Sequence, residues 1–215
     1  MDKEKLSDHG SRARGWNRMT LLLIGGIPLL VIISATWMWV YVASGDLDLV
    51  GLLGTSNKGQ LVTPPQQLTS LQLAGLQSED FVSVDGSGKW TMLVPGGADC
   101  DQTCVDTLYL TRQVRTAIGP DAGRIRRVYL NLDGRTNSVA VQLILEQHPQ
   151  METVVASRVA VLELLVAAGI PDVLELPGVW FVVDPQGWMM MYYSAEHSYK
   201  DPISDLKFLL RNTGE

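Results

Sequence analysis

The sequence predicts an α/β domain, a mixed central sheet with helices on both faces, carried behind one N-terminal transmembrane helix. Three observations predict it. Strand-length apolar runs alternate with helical patterns from Phe81 onward and close on two strands around Asp184-Pro185-Gln186-Gly187; that order suits a mixed sheet better than a purely parallel one. Met19 to Tyr41 holds no charged residue. The two cysteines of the chain, Cys100 and Cys104, fall where a strand hands over to a helix.

Residues 1–18 are polar, charged and without periodicity, the pattern of a mobile tail. Residues 19–42 are the expected membrane span. At about 1.5 Å per residue the run crosses a hydrocarbon core of about 30 Å. Pro28 and the pair Gly25-Gly26 are tolerable in such a helix, and Trp16, Trp37, Trp39 and Tyr41 suit its two interfaces. The apolar run is too long for the core of a cleaved signal peptide, normally about 7–15 residues. Lys3, Lys5, Arg12, Arg14 and Arg18 precede the span, whereas acidic residues outnumber basic ones beyond it, in a chain of net charge −6. Cationic flanks stay inside, so the expected arrangement is a bacterial inner-membrane protein with its N-terminus in the cytoplasm and its C-terminal domain in the periplasm. An acidic exported domain argues against nucleic acid as a partner, and export puts the cysteines in an oxidising compartment.

Residues 43–67, rich in Gly, Asp, Thr and Pro, read as a stalk, with Gln60-Leu61-Val62 able to add a short edge strand. The folded domain is expected over 68–212. Phe81–Val84 and Lys89–Val94 read as two strands joined by Asp85-Gly86-Ser87-Gly88. Asp101–Ile118 reads as a helix with Val105, Leu108, Tyr109 and Arg112 on one face, ended by Gly119-Pro120. Ile125–Leu132 is a strand with Val128, Leu130 and Leu132 on one side and Tyr129 on the other. Ser138–Gln147 is a helix carrying Val139, Leu143 and Leu145, and Glu152–Val155 a short strand. Ser157–Ala168 is a helix closed by Gly169 and Pro171. Val179–Val183 and Trp188–Tyr192 form the hairpin, and Asp201-Pro202 opens a last helix with Ile203, Leu206 and Leu210 apolar. Cysteines at the first strand-to-helix turn of such a domain are the arrangement of thioredoxin-like folds.

A helix N-terminus carries partial positive charge and favours thiolate over thiol. Asp101 or Thr103 would cap this one. Thiolate is the form that attacks a disulfide or binds a soft metal. Asp99, Asp101 and Asp106 work in the opposite sense, raising thiol pKa by like charge. The same spacing also serves a structural disulfide, and the residues by themselves leave these readings open. Arg112, Arg115, Arg124, Arg126 and Arg127 crowd a short stretch of an acidic domain, as a solvated face or a docking patch for an acidic partner. Met189-Met190-Met191 offers thioethers, but on a strand Met190 would point away from the other two, and core packing is the expected role. Walker, G-x-S-x-G and HExxH patterns are absent from the sequence.

Over residues 68–212 the chain resembles the Sco/SenC group of thioredoxin-like proteins. Three places carry the resemblance: a strand followed by Cys100-Asp-Gln-Thr-Cys104; the pair of helices around a short strand, Ser138–Ala168; and the strand and turn Trp180–Gly187, WFVVDPQG. The resemblance implies Cu(I) binding and delivery through Cys100 and Cys104 as metal ligands during cytochrome c oxidase assembly. Oxidase subunits or other assembly factors would be its partners. It equally allows a thiol–disulfide oxidoreductase acting on oxidase copper-site cysteines, with Cys100 and Cys104 as the catalytic pair, and a third reading keeps them as a static bridge in an interaction domain. The group's third copper ligand is a histidine just before the strand that leads to the turn. Here that place reads Leu174 to Val179, without histidine. His197, after the hairpin, is the candidate third ligand if its loop folds back; His148 lies at a helix end and His9 in the tail. Pro177 stands near the place of the cis-proline of thioredoxin-type reductases and marks a tight turn.

Overall fold

The computed structural model describes residues 7–43, 57–75 and 88–213. The chain divides into two compact units, Met1–Ser56 and Asn57–Glu215. The strand expected at Phe81–Val84 lies outside the described residues, as does most of the turn after it. So do residues 1–6 and the first part of the expected stalk, 44–56.

In the first unit one helix, α1, runs Ser7–Ala43 with Pro28 inside it. The helix therefore continues back through most of the segment expected to be an unstructured tail. Once a helix is nucleated, each added residue brings its own hydrogen bond, and residues 7–18 contain no proline to stop it. Leu22–Tyr41 is long and apolar enough to cross a membrane. Its serine and threonine hydroxyls turn back onto helical carbonyls, Ser34 Oγ to Val31 O at 3.0 Å and Thr36 Oγ1 to Ile32 O at 2.8 Å. A hydrocarbon surround demands such internal satisfaction.

The second unit is a seven-stranded mixed sheet. Its strands are β1 Gln60–Gln67, β2 Ala74–Gly75, β3 Trp90–Gly96, β4 Ile125–Asn131, β5 Met151–Val155, β6 Trp180–Val183 and β7 Trp188–Tyr193. They lie in the order β1-β7-β6-β3-β4-β5-β2. β3, β4 and β5 are parallel; β6, β7 and β1 continue the sheet antiparallel on one side and β2 on the other. The helices are α2 Gln102–Ile118, α3 Val139–Gln147, α4 Arg158–Ala167 and α5 Lys200–Asn212. Val128, Leu130, Val154 and Phe181 pack against Val161, Leu164 and Leu165 of α4. On the opposite face Met92, Tyr129, Trp180 and Val182 pack against Leu108 and Val114 of α2, Ile144 of α3 and Leu206 of α5. β4 is buried on both sides, with Val128 and Leu130 in one core and Ile125 and Tyr129 in the other, and only Arg126 is part-exposed.

Four expectations are corrected. The folded unit starts before Leu68: β1 is an edge strand eight residues long that includes Pro64 and Pro65. An edge position spares those prolines the loss of a ladder hydrogen bond. The buried carboxylate of Asp205 ties the strand's approach down, accepting from Lys58 N at 2.8 Å, Gly59 N at 2.9 Å and Tyr193 Oη at 2.8 Å. The buried face of α2 is Thr107, Leu108, Thr111, Val114 and Ile118, and Tyr109 and Arg112 are exposed. Thr107 and Thr111 can be buried because each hydroxyl bonds a carbonyl one turn back, at 2.7 and 3.0 Å. On α3 the buried residues are Ala140, Val141 and Ile144, while Val139 and Leu145 face out. Finally, Met189 and Met191 do not share a face. Val182 pairs with Met191 but Val183 with Met189, so Met190 is the extra residue of a β-bulge. Met189 joins one core and Met191 the other, and packing is the role of both.

Candidate functional site

β3 ends in Pro95 and the pair Gly96-Gly97, and the turn that follows is fixed from three directions. Tyr129 of β4 donates its hydroxyl to Gly97 O at 2.6 Å. Asp133 Oδ2 accepts from Ala98 N at 2.7 Å, and Ala98 O accepts from Ala140 N at 3.1 Å. A side chain at Gly96 would run into the Tyr129 ring, so only glycine lets the turn lie this close. Burial first, then the charge of Asp133, pushes the Tyr129 hydroxyl well above its ordinary pKa, and it stays a neutral donor.

That turn delivers Cys100 to the start of α2. Asp101 is the N-cap, its carboxylate accepting from Cys104 N at 2.9 Å. Cys100 and Cys104 are joined as a disulfide with a Cα–Cα distance of 5.2 Å. Both are half-buried, their inner sides against the core under α2. Cys104 lines a hollow of about 370 Å³, with Asp99, Asp101 and Thr107 on its side and the segment Leu174–Val179 across from it. The place that lacks the expected histidine is thus a wall of the hollow that Cys104 lines, and its one polar side chain is Glu175, ion-paired at 3.5 Å with Arg158. Pro177 and Gly178 make the tight turn expected there, with Gly178 at φ +65° and Pro177 O accepting from Ala195 N at 2.8 Å. Among the described residues the one cis peptide bond precedes Pro64, and the bond before Pro177 is trans.

His197 is not brought to the sulfurs. Its Nδ1 accepts from Ser194 N at 3.1 Å and its ring stands edge-on to Tyr193, centroids 5.4 Å apart. It lines a neighbouring, more apolar hollow of about 790 Å³ with Tyr109, Leu110, Tyr199 and Ile203. Thr103, Thr107, Pro177 and Gly178 line both hollows and form the partition. Among the described residues no three of His, Cys, Asp and Glu lie close enough to hold a metal ion. His148 is buried at the C-cap of α3, beside Arg112 and Arg127 rather than the cysteines. Chemically the site offers a closed disulfide that becomes two thiols on reduction, in a setting rimmed by carboxylates.

Sequence reasoning singled out neither Tyr129 nor Asp133 as a support of the site. The trace they leave is the Gly96-Gly97 pair, a mark of close backbone approach that names no partner.

Residues 90–213 match the family described as "Transmembrane-like, thioredoxin-like, C-terminal domain". No curated protein matches the chain. Among solved structures it is similar to ScoI of Arabidopsis thaliana with copper bound, at 16% identity and TM-score 0.51, covering 69% of this chain and 97% of that one. It is similar to yeast Sco1 with copper bound, at 15% identity and TM-score 0.52, covering 74% and 95%. Apo Sco1 of Thermus thermophilus matches at 17% identity and TM-score 0.50, covering 73% and 98%. At such identities the likeness is one of fold alone, the thioredoxin-like fold that the family description names.

Proposed function

The chain belongs to the transmembrane-like, thioredoxin-like C-terminal domain family, and from that premise we propose that Cys100 and Cys104 cycle between disulfide and dithiol and, when reduced, carry Cu(I) during cytochrome c oxidase assembly. The observation behind this reading is the half-buried Cys100–Cys104 disulfide, whose Cys104 lines a hollow with no histidine among its described lining residues. Reducing the bridge consumes two electrons and two protons from an external dithiol, which is oxidised to its own disulfide. Cu(I) then displaces the two thiol protons. Two thiolates suffice for this soft ion, whereas Cu(II) favours added imidazole, and His197 is engaged with Ser194. Copper is here the cargo, and the copper-bound Sco proteins of like fold support that reading.

The remaining parts follow from the same reading. Residues 1–18 stay in the cytoplasm, 19–42 span the bacterial inner membrane, and the domain works in the periplasm beside oxidase subunits or other assembly factors. One observation favours a second reading, thiol–disulfide exchange on the cysteines of an oxidase copper site. The bridge is already closed and both cysteines are only partly buried.

Anaerobic titration of the reduced full chain in detergent with Cu(I), against a competing chelator, tests the proposal. The expected result is one Cu(I) per chain, lost in Cys100→Ser. Failure to hold copper against the chelator, with a readily reduced bridge, would favour exchange; a bridge that resists strong dithiol reductants would favour a static role.

A further inference from the structure

Part of the arginine-rich stretch that the copper reading does not use is gathered by the fold around a separate hollow. Arg112 and Arg115 lie in the second half of α2, and Arg112 is about 12 Å along the helix axis from Cys104. Arg127 comes from β4. All three line a hollow of about 300 Å³ together with His148 and Gln150. The other two arginines of the stretch are used elsewhere. Arg124 pairs with Asp121 at 3.8 Å and bonds Leu210 O at 2.7 Å, while Arg126 Nε donates to Thr91 Oγ1 at 2.8 Å.

The three guanidiniums have neutral partners only. Arg127, 2% exposed, donates to Leu108 O at 2.6 Å and Thr111 Oγ1 at 2.9 Å. Arg115 donates to Ala122 O, Ile125 O and Gln150 Oε1, at 3.1, 2.8 and 2.6 Å. Arg112 donates to Gln147 O at 3.2 Å. Among the described residues no carboxylate pairs with any of them. Carbonyl dipoles stabilise a buried cation less than a counter-charge does, so the hollow carries uncompensated positive potential. Burial, then Arg112 and Arg115, lower the pKa of Arg127 to about 10. A second observation points the same way. His148 is 5% exposed, lines the hollow, and its Nδ1 has no hydrogen-bond partner. A buried polar atom without a partner is costly, and a small turn of the ring toward the hollow would let a ligand oxygen satisfy it.

We propose that Arg112, Arg115, Arg127 and His148 form a binding site for a phosphate-class oxyanion. Guanidiniums present forked donors that match the oxygens of such a group, and His148 Nδ1–H, with the ring turned toward the hollow, would supply a further donor. Arg127 and His148 are buried, so the site takes a small anion or a terminal phosphate rather than the flank of a folded partner. The phosphate is either free or the headgroup of a phospholipid.

The test uses the full chain in maltoside micelles, with inorganic phosphate titrated at constant ionic strength against chloride, read by calorimetry and by melting temperature. A parallel arm uses a short-chain phosphatidic acid. Saturable binding of either probe, with a rise in melting temperature that chloride does not give, is the expected result. Inorganic phosphate marks a free anion, and phosphatidic acid alone marks a headgroup. Arg112→Gln and Arg115→Gln, at side chains that reach the surface, should each weaken binding about tenfold. Neither probe binding, or a probe that binds the doubly substituted Arg112→Gln, Arg115→Gln protein as tightly as the parent, would overturn the assignment.

Discussion

The carboxylate of Asp101 accepts a hydrogen bond from the backbone N–H of Cys104 at 2.9 Å. One residue thus caps α2 and holds the backbone of the second cysteine in place. Asp101→Ala should lower stability by about 1 kcal/mol, and Asp101→Asn should recover most of it, because the amide oxygen still accepts. Urea denaturation of the oxidised and the reduced protein measures this, and the loss should appear in both forms.

The bridge closes a loop with a sequence separation of 4. So short a loop restricts the unfolded chain only modestly, by about 2 kcal/mol. Cys100→Ser and Cys104→Ser should therefore fold, with midpoints shifted by that amount, while copper retention disappears in both. A variant that fails to fold at all would mean the bridge is needed structurally.

Burial, with Arg127 and Arg112 adding to it, lowers the His148 pKa to about 4 from 6.5. The folded protein therefore binds this proton less readily than the unfolded chain does. The stability contributed by neutral His148 is complete above about pH 6.5 and is lost as pH falls toward 4. Denaturation midpoints should decline across that window, and His148→Gln should flatten the decline. An unchanged slope in the variant would refute the assignment.

Asp205 is buried, and its Oδ2 takes Lys58 N, Gly59 N and Tyr193 Oη. Burial, then Asp205 itself, holds the Tyr193 hydroxyl protonated far above the usual range. Asp205→Ala strands three donors and should cost roughly 2–4 kcal/mol. Hydrogen exchange should show β1 loosening first, since its approach is anchored there. Exchange that rises evenly across the sheet would contradict that order.

Much of the fold was legible because its signals are local. Apolar runs broken by Asp133-Gly134 or Asp184-Pro185-Gln186-Gly187 mark strand ends, and Gly119 and Gly169 mark helix ends, without reference to neighbours. The phases of α2 and α3 were not legible. Thr107 and Thr111 look polar in a sequence and become buriable only once their hydroxyls find helical carbonyls. The bulge at Met190 was equally hidden, since register depends on the partner strand.

By itself the sequence determined that an α/β domain follows a helix able to span a membrane, and that two cysteines begin a helix. Those properties rest on periodicity, length and spacing along one chain. Only the tertiary structure decided what surrounds the cysteines: Tyr129 and Asp133 beneath the turn, Leu174–Val179 across the hollow, His197 behind a partition. It likewise gathered Arg112, Arg115, Arg127 and His148 from two helices' ends and a strand into one hollow. Spacing along a chain fixes local conformation, but neighbours far apart in sequence meet only through the packing of a helix on a sheet.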